Sequence, residues 1–155
     1  MTLRRFIVFA LLCASCVVPA ANAGDFLSRY DGTIIRLDWT TTHAVGSPSV
    51  SESSVTIGVS RHGIVMPGSP AITEGGSFQK SDGYGGITEL TVDVHPNGFT
   101  YETLQRNGRL QINTNSIVTV TVSEDRCSAT AVSDLWKAVV KCFVIEQPPQ
   151  WNPSN

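Results

Sequence analysis

The chain has 155 residues, of which 41% are hydrophobic and 15% charged, and its formal net charge is −2. That length suits one domain and leaves no room for a second of ordinary size. Charge this sparse, against a usual share of about 25%, excludes a coiled coil and a disordered acidic tail. The slightly acidic balance argues against nucleic acid as the main partner, because such domains concentrate Lys and Arg.

The first 23 residues read as a signal peptide. Arg4 and Arg5 supply the positive start, Phe6 to Val18 the apolar stretch, and Ala21-Asn22-Ala23 a small-residue cleavage site, so the mature chain is expected to begin at Gly24. A transmembrane helix is the alternative, but about 13 apolar residues reach only ~20 Å, short of a ~30 Å hydrocarbon core. Lipid attachment at Cys16 is a second alternative. Ala14-Ser15-Cys16 looks like the end of a lipobox, although such boxes favour Leu where Cys13 stands. Removing residues 1–23 leaves nine Lys and Arg against thirteen Asp and Glu, a net charge of −4, which offers no electrostatic anchor to anionic lipid. No later segment is apolar enough over sufficient length to span a membrane.

Past Gly24 the dominant period is two, the mark of half-buried strands. Ile35, Leu37 and Trp39 share one face, with Arg36 and Asp38 on the other. Val55, Ile57 and Val59 alternate with Thr56, Gly58 and Ser60; Arg61-His62-Gly63 then turns the chain into Ile64-Val65-Met66. Thr41 to Ser51 reads as an ordinary surface loop. Leu90, Val92 and Val94 alternate with Thr91 and Asp93, and His95-Pro96-Asn97-Gly98 separates that run from Tyr101–Gln105. Asn107-Gly108 suits a tight type I′ turn before Leu110–Asn113. Thr114-Asn115-Ser116 reads as a further short turn ahead of Val118, Val120 and Val122. The sum is all-β: an antiparallel barrel or sandwich of about eight strands. Residues 24–146 would form the domain and 147–155, with three prolines and Trp151, an irregular tail.

Four cysteines fall to two once Cys13 and Cys16 leave with the signal, and an even pair in an exported chain reads as a disulfide, Cys127–Cys142. A metal site would want a neighbouring Cys-x-x-Cys or His pair, and redox pairs sit closer in sequence. The C-terminal region has two readings. In a hairpin turning at Ser133-Asp134-Leu135-Trp136 the two cysteines face each other across the strands; in a short helix capped by Ser133, Leu135, Val139 and Cys142 form one stripe. The β-branched run from Val139 to Ile145 favours the hairpin.

Pro67 to Gly86 stands apart, with six glycines and two prolines in 20 residues. Loops beyond ~12–15 residues are uncommon and often functional. This one carries Phe78, Lys80, Asp82 and Tyr84 among its glycines, and these four are the candidate binding residues; a Gly-rich connector hiding a strand at Ser77–Lys80 is the plainer reading. It has neither P-loop nor dinucleotide-fingerprint spacing. His43, His62 and His95 are dispersed among turns, and a three-His metal site would need those turns to converge. Gly58-Val59-Ser60-Arg61-His62-Gly63 is not a nucleophile elbow. Asp38, Asp93 and Glu102 lie in strand runs and read as solvent-facing charge. Trp39, Tyr101, Trp136 and Phe143, also in strands, read as core, or in part as pocket lining if the sheet closes into a barrel. Nothing in the pattern asks for a cofactor.

The functional expectation is therefore a non-enzymatic binding protein of the bacterial envelope, in the periplasm or the medium, holding a protein partner or small ligand through the loops of a stapled β-scaffold. Two alternatives stand: a polymer hydrolase using two of the scattered carboxylates, and an assembly component that adds an edge strand to a partner.

Overall fold

The computed structural model describes residues 23–43, 49–81, 83, 85–107 and 112–146. One short helix, α1 (Ala23–Arg29), precedes ten strands. These are β1 (Ile34–His43), β2 (Val50–Ser60), β3 (Gly63–Val65), β4 (Ala71–Ile72), β5 (Gly76–Ser81), β6 (Gly86–His95), β7 (Gly98–Asn107), β8 (Ile112–Ser123), β9 (Arg126–Ser133) and β10 (Trp136–Glu146). They form two five-stranded antiparallel sheets, ordered β10-β1-β2-β3-β4 and β5-β6-β7-β8-β9. Chain order is thus kept around the body, with β10 returning to pair with β1. Among the described residues no ladder joins β4 to β5 or β9 to β10, so the sheets do not close into a barrel.

The alternation seen in the sequence sets the inner face. Ile35 and Leu37 of β1, Ile57 and Val59 of β2, Val92 and Val94 of β6, Phe99 and Tyr101 of β7, and Val118, Val120 and Val122 of β8 are buried in one core between the sheets. The outward neighbours Arg36, Asp93 and Glu102 are exposed and Asp38 is half-exposed. Gly98 begins β7 against Val120, and a Cβ there would fall on the Val120 carbonyl oxygen, so the close approach of β7 to β8 requires glycine.

Cys127 and Cys142 are bonded, with their Cα atoms 5.5 Å apart. The hairpin-like register expected from the sequence is right in placing them opposite each other, and no helix forms there. The two strands nevertheless belong to different sheets, and the disulfide covalently joins those sheets at the β9–β10 seam.

Five expectations need correction. The strand count is ten rather than about eight. Pro67–Gly86 is not one long loop: it holds β4 and β5. Thr114-Asn115-Ser116 is no turn but part of the first half of the twelve-residue strand β8. The supposed loop from Thr41 to Ser51 gives its first three residues to β1 and its last two to β2. Phe143 is not core; it faces outward on β10 with the Arg36 guanidinium over its ring, 5.3 Å from the centroid. Residues 1–22 of the signal peptide with Cys13 and Cys16, Gly108 of the expected tight turn, the tail with Trp151, Asp82 and Tyr84 lie outside the described residues.

The helix, absent from the sequence reading, caps one end of the core. Phe26, Leu27 and Tyr30 recur at the spacing of one helical face and are buried, with Asp25 in the first turn and Arg29 in the last, the favourable sense for the helix dipole. The Phe26 ring lies 5.0 Å from that of Tyr30 and 6.3 Å from that of Phe99. Polar ties reach both sheets. Arg29 donates to the Pro96 carbonyl at 2.8 Å, and the backbone N–H of Glu124 donates to the Tyr30 hydroxyl at 3.0 Å. Asp31 accepts from the backbone N–H and the guanidinium of Arg61 at 2.9 and 3.0 Å.

Candidate site at the open end of the sandwich

Strand register makes the two ends of the body different. The β2–β3, β6–β7 and β8–β9 turns gather at the end that α1 closes. The opposite end receives the last residues of β1, β5, β7 and β9 and the first of β2, β6, β8 and β10. No helix covers it among the described residues.

The inner face changes character between these ends. Reading inward positions along β7, Phe99 and Tyr101 are followed by Thr103 and Gln105; along β8, Val120 and Val118 are followed by Ser116 and Thr114. On β9, Cys127, Ala129 and Ala131 lead to Ser133; on β1, Ile35 and Leu37 lead to Trp39 and Thr41; on β2, Ile57 and Val55 lead to Ser53 and Ser51. The helix-capped half is therefore lined by aliphatic and aromatic groups, whereas in the open half hydroxyls, an amide and tryptophan join the lining beside Leu90, which pairs with Thr103, and Val140, which pairs with Trp39. Burial falls in step: Leu37, Tyr101 and Val118 are buried, Thr41, Thr103 and Ser116 half-buried, and Ser51 and Ser53 exposed.

Two indoles mark the open half. Trp39 and Trp136 are both half-buried on the inner face of their sheet, edge to face at 90° with ring centroids 6.1 Å apart. Ala131 and Ala138, both half-buried, are small inner residues that pair with Val118 and Thr41 respectively. Thr114 Oγ1 donates to Gln105 Oε1 at 3.4 Å across the β7–β8 pair. Among the described residues the one side-chain oxygen that is both fully buried and unpaired is Asn115 Oδ1, on the outer face. Inner hydroxyls without a protein partner are consequently reached by solvent.

The candidate binding residues divide. Phe78 pairs with Leu90 and packs against the core, so it is structural. Lys80 is exposed at an inner-facing position of β5, near the β3–β4 turn at Gly68, and is the one described cation among the inner strand positions. Asp82 and Tyr84 lie outside the described residues. The sequence reads Trp39 and Trp136 as core, or as pocket lining only in a closed barrel, and nothing in its pattern singles out Thr103 or Ser116.

Other constellations do not assemble. His62 and His95 lie at the capped end, whereas His43 ends β1 at the open one. His95 Nε2 meets Thr100 Oγ1 at 2.9 Å. The Ser60 hydroxyl accepts from the His62 backbone N–H at 3.1 Å, which makes it a turn clasp. Three of the strand carboxylates hold structural partners. Asp38 pairs with Arg36 at 3.0 Å, Glu89 with Arg106 at 3.5 Å, and Glu102 accepts from Asn115 at 2.6 Å. Burial pushes the Tyr101 phenol far above its ordinary value, so it stays protonated. The Asp31 carboxyl is held below its usual range, first by the Arg61 backbone N–H and then by the Arg61 guanidinium.

No family model, curated protein or solved structure matches this chain.

Proposed function

We propose that this chain is an exported, non-enzymatic binding protein of the bacterial envelope that takes a protein partner or small ligand at the open end of its β-scaffold. The supporting observation is the asymmetry of the core. One end is corked by Phe26, Leu27 and Tyr30, while the other keeps two half-buried tryptophans beside hydroxyl-lined inner strand positions. A scaffold needing only stability would continue its aliphatic lining to both ends, since each buried CH₂ contributes about 0.8 kcal/mol. Binding residues are disproportionately found on connections held by a rigid scaffold. The disulfide is compatible with an oxidising compartment, in keeping with the signal-like first 23 residues.

The test is affinity capture from native envelope and culture medium, followed by mass spectrometry for proteins and small molecules. Wild type is compared with Trp136→Ala and with a charge-altered capped end, Arg29→Glu. Capture lost with Trp136→Ala and kept with Arg29→Glu supports the reading. Capture indifferent to Trp136, or abolished only at the capped end, removes it. Intact mass of the same material is expected to begin at Gly24; retention of Cys16 or attached lipid would overturn the export route.

A further inference from the structure

We infer that the open half binds a carbohydrate, with a sugar ring against the Trp39–Trp136 pair and its hydroxyls hydrogen-bonded by the facing inner positions of β7 and β8. This rests on the reading above and names the ligand class of that same site.

Three observations converge. First, the indoles are half-buried and set edge to face, which leaves ring surface at the mouth. The C–H face of a pyranose is an apolar partner of matching size for an indole. Second, Thr103, Gln105, Thr114 and Ser116 occupy four adjacent inner positions in two cross-strand pairs, Thr103–Ser116 and Gln105–Thr114. They form a patch of donors and acceptors that are not charged, and the Thr114–Gln105 hydrogen bond within it engages the Gln105 carbonyl oxygen rather than its amide N–H groups. Third, the chain brings the two walls close at the seam: Ser133, the last residue of β9, pairs with Ser116, and Trp136 begins β10 three residues later.

Ligand chemistry follows from this lining. A hydrocarbon would displace water from the hydroxyls and return no hydrogen bonds, and an unpaired desolvated hydroxyl opposes binding. An anion would find Lys80 as the one described cation at an inner strand position. A sugar meets both walls, since its ring presents an apolar face and its periphery alternating donors and acceptors.

The experiment is titration of the oxidised protein with chitotriose, maltotriose, cellotriose and trigalacturonate, read by tryptophan emission and by amide chemical shifts. At least one is expected to give a saturable change at millimolar concentration or tighter. Thr103→Val with Ser116→Val is expected to weaken that binding about tenfold or more, the effect of one lost hydrogen bond. Trp136→Leu is expected to abolish the emission change, and a thermal melt checks that both variants fold. The proposal is overturned if none of the four sugars shifts emission or amides, or if the shifts survive both variants unchanged. A protein captured from the envelope in a Trp136-dependent way would in that case leave the binding-protein reading standing without the sugar. Capture that ignores Trp136 would remove both.

Discussion

The disulfide lies where the two sheets meet without ladder hydrogen bonds, so its removal is a direct probe of how the seam is held. Cys127 and Cys142 are separated by 15 positions. Closing a loop of that length removes about 10 cal/mol/K from the unfolded chain, or about 3 kcal/mol at 25 °C in the chain-entropy treatment. Spread over the unfolding entropy of a domain this size, that corresponds to a loss of roughly 10 °C in melting temperature. The variant is Cys127→Ser with Cys142→Ser, studied by urea and thermal unfolding beside the oxidised parent. Both positions are half-buried on the inner face, so two hydroxyls replace two sulfurs and the measured loss should meet or exceed the entropic figure. The urea dependence should become shallower if β9 and β10 part in the native state, because less surface then remains to be exposed on unfolding. A double variant that loses less than about 1 kcal/mol would refute the argument, since the seam would then be secured by packing alone.

The capped end yields two further expectations. Phe26→Ala deletes a fully buried ring that packs on Tyr30 and Phe99 and is expected to cost about 3–5 kcal/mol in urea unfolding; a loss below about 1 kcal/mol would show that α1 is not a cork. Asp31, whose carboxyl is depressed by Arg61, adds stability that is present above its unfolded value of about 3.9 and lost as pH falls through the lower folded value. Asp31→Asn should therefore be less stable than the parent at neutral pH, and the gap should close below about pH 4. A gap that is constant or widens on acidification would contradict the assigned pairing.

Much of the frame was legible because half the strand residues are buried and half are not. Ile35, Leu37 and Trp39 against Arg36 and Asp38, or Val118, Val120 and Val122 against Thr119 and Thr121, give a clear period of two. The cysteine register was legible for a related reason, because β-branched runs on each side fixed strand over helix. The helix was missed because seven residues hold too few turns for a 3.6-residue period to emerge beside a cleavage signal. Phe143 was misread because β10 is apolar on both faces, with Val140, Cys142 and Val144 half-buried inside and Val139, Phe143 and Ile145 exposed outside. Periodicity then says strand without saying which face is in.

The same logic explains why the candidate site was the least legible part. Thr114-Asn115-Ser116 and Thr41-Thr42 carry polar residues on both faces of strands that the structure keeps continuous. A strand whose inner face is wet loses its alternation and looks like a turn. If that polarity is retained for a ligand rather than for folding, apolar replacement should stabilise the empty protein. Thr103→Val with Ser116→Val adds methyl groups at half-buried inner positions, and at half burial the gain is about 1 kcal/mol for the pair. Equilibrium urea unfolding without ligand measures it, with the oxidised disulfide confirmed by mass. A stability gain accompanied by loss of binding is the expected trade between a site and its scaffold. If the pair instead loses more than about 1 kcal/mol, those hydroxyls hold the sheet together, and the polar end is a structural feature of the fold.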